Sequence, residues 1–483
     1  MMIRLVVLLL LFSLNVSLLL GQSDKPVKTD TVRTNEGPDP TAGLPQVIDT
    51  TRVQRRAKKV EPPKQAKVDT LKKQEAKKVN PWAGKNDAEL RKIADTLAHR
   101  YIIVDGHVDL PYRMGVKNFR PTKEFLGIPI QSKEGDFDYV RAKKGGLTAP
   151  FMSIYIPSSY QQTGGAKEFA DSLINMVIEI AKGNPDKFKI ARSPQEVEAN
   201  FKKGLISLPM GMENGAPIGD SLSNVAYFQR RGIRYITLTH GKDNQICDSS
   251  YDTTRTWNGL SPFGREVVKE MNRVGIMVDV SHVSDSAAFQ AIALSAVPCI
   301  ASHSSVRKFT PGFDRNMSDE ILKALAAKGG VIQINFGSSF LDKKVRDYQD
   351  KKREELRKLL EAKKLKIDDA AAKPIVDKFQ KDNPSLYADV ETVADHIDHV
   401  VKLVGINHVG FGSDFDGVGD SLPTGLKDVS QYPNLIYSLL KRGYSEEDIA
   451  KISYKNVFRV WNAAERYAKF EAERAKRANE ERN

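Results

Sequence analysis

The sequence predicts a (β/α)8 barrel of the TIM type with a charged helical insertion before its last strand. Three observations carry that expectation. Between about residues 95 and 462, eight short apolar runs rich in Val, Ile and aromatic residues alternate with amphipathic helical stretches. That order gives a parallel sheet covered by helices. The G-x-G-x-x-G fingerprint of the runner-up, a doubly wound open sheet, does not follow the first run. Finally, chemistry-bearing side chains recur where the runs end, which in a barrel is the catalytic face.

Taken in order, the strand candidates are 101–107, 151–156, 206–215, 233–241, 275–282, 297–305, 329–336 and 408–417. Helix signals stand between them. Ser193-Pro194-Gln195-Glu196 reads as a capping box with proline at the first helical position. Ser261-Pro262 opens a helix that Gly275 closes, and Ser318-Asp319-Glu320 opens one that Gly329-Gly330 ends. Residues 342–390, containing DKKVRDYQDKKREELRKLLEAKKLKIDD, read as a helical insertion between the seventh and eighth strands whose charges form a solvated face.

The barrel is expected over 91–462, with other material outside it. Arg4, the 16-residue apolar run LVVLLLLFSLNVSLLL and Gly21 have the layout of a secretory signal peptide over 1–21, with an uncleaved anchor as the alternative. Either places the bulk of the chain outside the cytoplasm, secreted or periplasmic. Residues 22–90 read as a basic disordered linker: 22–85 hold 15 Lys/Arg against 8 Asp/Glu and almost no aromatics, too little apolar area to order a chain. The linker is expected either to lie along an anionic envelope surface or to act as a plain spacer. Nucleic acid is excluded as a partner, because no aromatic-interleaved basic patch is present. The charged tail 463–483 reads as a frayed surface helix. The two cysteines, Cys247 and Cys299, form no C-x-x-C; an exported chain permits a disulfide between them, and the sequence leaves that open.

The strand ends hold the chemistry. The first ends in His107 and Asp109, the third in Glu213, the fourth in His240, the fifth in His282, the sixth in His303, and the eighth in Asp414 with Asp416 two further on. Residues i and i+2 of a strand point the same way, so His107 and Asp109 face one side. Taken singly, each has an ordinary structural use as a rim histidine, a helix cap or a turn residue. Gathered at one rim, unpaired carboxylates repel and bear a desolvation cost that a divalent cation removes. Imidazole and carboxylate donors without thiolate suit zinc, with manganese or iron as alternatives. The donors outnumber what one catalytic zinc needs, so two metals sharing a bridging carboxylate fit better. Of the other histidines, His396 and His399 share a helix face and read as surface or helix-end residues, His408 begins the last strand at the far end, and His99 precedes the first strand and packs.

The set DGHVD (105–109), GMENG (211–215), TLTH (237–240), VDVSH (278–282), ASHSS (301–305) and GFGSDFDG (410–417) resembles the membrane, or renal, dipeptidase family of amidohydrolase-type barrels. The resemblance implies a zinc-dependent dipeptidase working through a metal-bridging hydroxide, with two Zn2+ per chain. His107 and Asp109 then bind one zinc, His282 and His303 the other, and Glu213 bridges them. It further implies that His240 polarises the scissile carbonyl, that Asp414 is the acid/base and that Arg315 holds the substrate's terminal carboxylate. Arg307 competes with Arg315 for that role, and Asp416 with Asp414. Dipeptides, including ones with a C-terminal D-residue, are the implied substrates, and a homodimer the implied assembly. Two rivals stand beside this reading: another metal-dependent amidohydrolase on the same barrel, a deaminase or β-lactamase, and an envelope-associated binding module without turnover.

Overall fold

The computed structural model describes residues 80–116, 130–367 and 369–482. The signal-peptide reading and most of the linker reading lie outside them. Among the described residues there are ten strands: β1 (Val104–Val108), β2 (Ala149–Tyr155), β3 (Phe188–Ile190), β4 (Ile206–Leu208), β5 (Met210–Glu213), β6 (Ile233–Thr237), β7 (Met277–Asp279), β8 (Ile300–Ser304), β9 (Val331–Ile334) and β10 (Val409–Phe411). Eight close into a parallel barrel in the order β1-β10-β9-β8-β7-β6-β5-β2. β3 and β4 form a separate parallel pair. Every residue of β1, β5, β6, β7, β8, β9 and β10 is buried, as expected of strands covered on both faces.

The third apolar run, 206–215, serves two sheets. Pro209 divides it into β4 and β5. Proline has no N–H for a ladder, so it stands where one pairing ends and another begins. β4 pairs with β3, while β5 sits between β2 and β6 in the barrel. β3, in FKI, is too short to stand out in the sequence.

The helix signals hold, with one change of detail. Ser193 accepts from Glu196 N at 3.1 Å, but the Glu196 carboxylate reaches Arg192 N, one residue before the cap, at 2.7 Å. The Pro262–Val274 helix ends at Gly275 with φ 83°. The Asp319–Ala327 helix starts at Ser318. The insertion is a helical pair, Lys343–Ala362 and Lys373–Asp382, between β9 and β10.

The N-terminal end differs from expectation. The stretch expected to be linker already contains the start of the Asp87–Arg100 helix, because Asn86 and Glu89 form a reciprocal capping box. Before it, the Trp82 indole donates to Tyr444 O at 2.7 Å. The charged tail continues one helix, Asn456–Glu480. Its first turns are held by Val457, Phe458, Val460 and Trp461, which pack against the barrel's lower strands. Cys247 and Cys299 are both buried and free. No helix among the described residues is long and apolar enough to cross a membrane.

Candidate metal centre

The expected site residues lie together at the C-terminal ends of the strands. His107 is in β1 with Asp109 just after it, Glu213 ends β5 and His303 is in β8. His240, His282 and Asp414 each follow their strand by three residues. The chain reaches these positions through sharp turns: His282 (φ 66°), Asp414 (φ 64°), Asp416 (φ 68°) and Asn214 (φ 78°) all adopt left-handed backbone. For residues with a Cβ that conformation costs about 1–3 kcal/mol, and it persists where the surroundings enforce it.

Glu213 is at the centre. Its Oε2 lies 3.3 Å from His107 Nε2. Its Oε1 lies 3.0 Å from His282 Nε2, 3.1 Å from His303 Nε2 and 3.5 Å from His240 Nε2. His107 Nε2 is also 3.3 Å from Asp109 Oδ2. Three overlapping donor groups result: His107, Glu213 and His303; Glu213, His240 and His282; His107, Asp109 and Asp414. All but the partly exposed His240 are buried.

The outer hydrogen bonds fix which ring nitrogen carries the proton. Tyr235 OH donates to Gly106 O at 3.0 Å, so toward His107 Nδ1, 2.8 Å away, its oxygen accepts. Ser302 Oγ donates to Asp279 Oδ2 at 2.6 Å, and it therefore accepts from His303 Nδ1 at 2.7 Å. Both imidazoles therefore carry a proton on Nδ1 and turn Nε2 toward Glu213, where that nitrogen can take either a proton or a cation. A lone pair facing a carboxylate oxygen is repulsive, and a cation between them converts repulsion into two bonds. Among the described residues, buried His107 Nε2 and Asp109 Oδ1 have no hydrogen-bond partner, as suits atoms that bind a metal. The residues therefore fit a divalent metal, with Glu213 turning one oxygen to His107 and the other to His282 and His303.

Electrostatics point the same way. Burial raises Glu213, but His107 and His240 outweigh it and hold the carboxyl well below its usual range. Burial keeps His282 and His303 well below the usual imidazole value, aided by Arg315 and, at His303, by His107, so both rings are neutral. Burial alone would lower His107; Tyr235, Glu213 and Asp109 together raise it. Burial and then the Asp109 carboxylate push Asp414 up to about 8. Asn335 Nδ2 donates to Asp414 Oδ2 at 2.7 Å, leaving the other oxygen toward His107 and Asp109. Gly417 is required here: a Cβ would stand 2.2 Å from both Asp109 Oδ2 and Asp414 Oδ1.

The competing residues are separated by their partners. Arg307 is engaged bidentately by Asp285 at 2.7 and 2.6 Å. Buried Arg315 donates to Ser304 Oγ at 2.6 Å, His303 O at 2.7 Å and His282 Nε2 at 2.9 Å. That last bond and a cation on the same nitrogen exclude each other. Asp416 turns to Arg113 at 2.7 Å and to Asp136 N at 2.6 Å. His396 is not at the surface: it is fully buried, accepting from Val306 N at 3.1 Å and contacting Leu341 O at 2.9 Å. His399 pairs with Asp319 at 2.8 Å. His408 bonds Gly330 O, and His99 is exposed rather than packed, bonding Asp95 O and Lys143 O.

Several site residues had no strong signal in the sequence. Tyr235, Ser302 and Asp279 hold the histidines, Asn335 holds Asp414, and Tyr112, Tyr155 and Tyr251 lie beside the cluster. Tyr155 lies 4.7 Å from both Tyr112 and His240, ring to ring. Asp279 was visible only as a polar residue inside VDVSH. It accepts from Ser281 N and Ser302 N through Oδ1, and from Thr237 Oγ1 and Ser302 Oγ through Oδ2. Asp105 does the same between β1 and β10, accepting from His107 N and Ser413 N at 2.9 Å each.

The pattern described as Membrane dipeptidase (Peptidase family M19) matches residues 91–475. An uncharacterized dipeptidase of Schizosaccharomyces pombe is 32% identical over 387 residues, covering 78% of this chain and 83% of that protein. Among solved structures, the probable dipeptidase PvdM from Pseudomonas aeruginosa aligns with a TM-score of 0.66 at 27% identity, covering 79% of this chain and 100% of that one. Dipeptidase AC, a metallopeptidase of family M19, aligns with a TM-score of 0.62 at 25% identity over 75% of this chain and 98% of that one.

Proposed function

The chain belongs to the membrane dipeptidase family, peptidase family M19, and from that premise we propose that it is an exported binuclear zinc enzyme that hydrolyses dipeptides, including ones with a C-terminal D-residue. The observation that carries the reading is the division of Glu213: one oxygen toward His107, the other toward His282 and His303. His107 and Asp109 would hold one zinc, His282 and His303 the second, with Glu213 between them. Imidazole and carboxylate donors without thiolate favour zinc in such a site. When bound, the pair supplies Lewis acidity and makes water nucleophilic near neutral pH.

The remaining steps belong to the chain. Asp414 takes the proton of the attacking water and returns it to the leaving amine. A carboxyl raised toward neutrality suits both directions of that transfer. His240, on the open side of Glu213, donates from Nε2 to the carbonyl oxygen as negative charge builds there. Arg315 meets the substrate's free carboxylate with its planar fork. Because Arg315 is buried against His282 and His303, that carboxylate must lie one residue beyond the cut, which favours dipeptides over longer chains. The N-terminal apolar run directs export, and the basic linker then lies against the anionic envelope.

The test combines zinc stoichiometry with hydrolysis of L-L and L-D dipeptides, on wild type and on Glu213→Ala. Two zinc ions per chain with turnover, both lost in the variant, are expected. Wild-type protein that retains no metal and leaves every dipeptide intact would overturn the reading. Ammonia release or β-lactam opening in place of peptide cleavage would move the assignment to another amidohydrolase.

A further inference from the structure

The charged insertion is the feature that the dipeptidase reading leaves unused. Its first helix, Lys343–Ala362, carries Arg346 into the aromatic group beside Arg315. The Arg346 guanidinium lies 3.5 Å from the centroid of the Phe313 ring. Phe313 is 5.5 Å from Phe340 and 6.2 Å from Tyr251, ring to ring. Arg315 lies 5.5 Å from the Phe340 centroid, and Tyr251 is 5.9 Å from the His282 ring. One aromatic cluster therefore joins the two arginines to a metal-ligand histidine. Burial raises the Tyr251 phenol, while Arg315, Arg346 and Arg353 pull it the other way, so guanidinium groups from the rim and from the insertion act on one hydroxyl.

The charges on this side do not cancel. Among the described residues, the Arg346 guanidinium makes no hydrogen bond, and the carboxylate within ion-pair range is Asp350 at 3.6 Å. Asp350 also serves Arg353, at 3.3 Å, so one carboxylate answers two cations. The partners of Arg315 are a hydroxyl, a carbonyl and an imidazole, none of them anionic. Arg346 keeps 28% of its side chain exposed, while Phe313 lies against the face of its guanidinium. A cation laid on an aromatic ring has its plane fixed and its donors free at the edge.

We propose that Arg346 is a specificity-determining residue: with Arg315 holding the C-terminal carboxylate, Arg346 meets a second negative charge, so the enzyme prefers dipeptides whose C-terminal residue is Asp or Glu. This rests on the dipeptidase reading and adds the substrate class to it.

The experiment compares kcat/KM for Ala-Asp and Ala-Glu with the isosteric Ala-Asn and Ala-Gln. The amides set the reference, so loss of folding or of metal depresses both members of each pair and leaves their ratio alone. In wild type the acid-to-amide ratio is expected at about five- to tenfold, carried by KM and shrinking as salt rises from 0.05 to 0.5 M. R346Q brings the ratio close to one, and R346K, which keeps the charge, retains most of it. A wild-type ratio at or below one, or a ratio that R346Q leaves unchanged, overturns the subsite while the dipeptidase reading stands. Failure to cleave any of the four peptides overturns both.

Discussion

The rim histidines and the helix pair His396 and His399 show how one residue type serves two purposes in one molecule. His396 gives both ring nitrogens to the backbone, to Val306 N and Leu341 O, while Phe309 packs 4.4 Å from its ring. His107 and His303 pin Nδ1 on a hydroxyl oxygen and turn Nε2 to the Glu213 carboxylate instead of to backbone. Burial does not distinguish them, because His107, His303 and His396 are all fully buried. The accounting of donors and acceptors does. A histidine with both nitrogens bonded to backbone is a structural strut. One with a pinned Nδ1 and an Nε2 turned to a carboxylate is built to bind a cation.

The largest effect that tests this contrast is at Asp414, the proposed acid/base. Asp414→Asn keeps the shape and an acceptor for Asn335, but it cannot carry the proton. It should lower kcat by about 10²–10⁴-fold with metal content intact. A variant that turns over normally removes Asp414 from the chemistry. Next comes the outer shell. Tyr235→Phe removes the acceptor at His107 Nδ1 and frees the ring to take the other tautomer, so metal affinity should fall about 10–100-fold. Unchanged affinity in a metal-buffer titration breaks the contrast at its centre, because tautomer control would then be irrelevant.

The helix pair should respond in stability instead. Burial lowers the His396 imidazole to about 4 in the folded chain. Its unfolded value is near 6.5, so the unfolded chain takes the proton first as pH drops. The contribution of His396 is therefore complete above about pH 6.5 and drains as pH falls toward 4, by at most about 3 kcal/mol. Denaturant titrations across that window should show this slope in wild type and not in His396→Gln. Parallel curves would refute it. The smallest effect belongs to His399→Ala. It removes one ion pair with Asp319 that is partly open to water, worth less than about 1 kcal/mol, and zinc content should not change.

Much of the fold could be read directly. Apolar runs alternating with capped helices gave seven of the barrel strands in place, and Gly275 and Gly329 end their helices in left-handed backbone. The run 206–215 was read as one strand but is two. Its hydrophobicity is continuous, and only the choice of pairing partners at Pro209 separates them. The extra pair β3 and β4 stayed hidden because three residues carry no periodicity. At the N-terminus, net charge masked the capping box of Asn86 and Glu89, because composition averages over the few residues that start a helix.

The cluster of candidate donors was legible for a simple reason. In a parallel barrel every strand points its C-terminal end to the same rim, so order along the chain and position at a strand end suffice to gather His107, Asp109, Glu213, His282 and His303. The sequence by itself thus determined the barrel and its rim of donors. Tertiary structure alone decided which proton sits on which nitrogen. Tyr235 reaches His107 from a strand 128 residues away, and it does so only because Gly211 has no Cβ to meet its ring. It also decided that Arg315 is bonded to neutral groups while Arg307 is paired with the Asp285 carboxylate, and that Arg346 of the insertion stands over Phe313. Those outcomes depend on distances between side chains far apart in sequence, and no local pattern of residues encodes such distances.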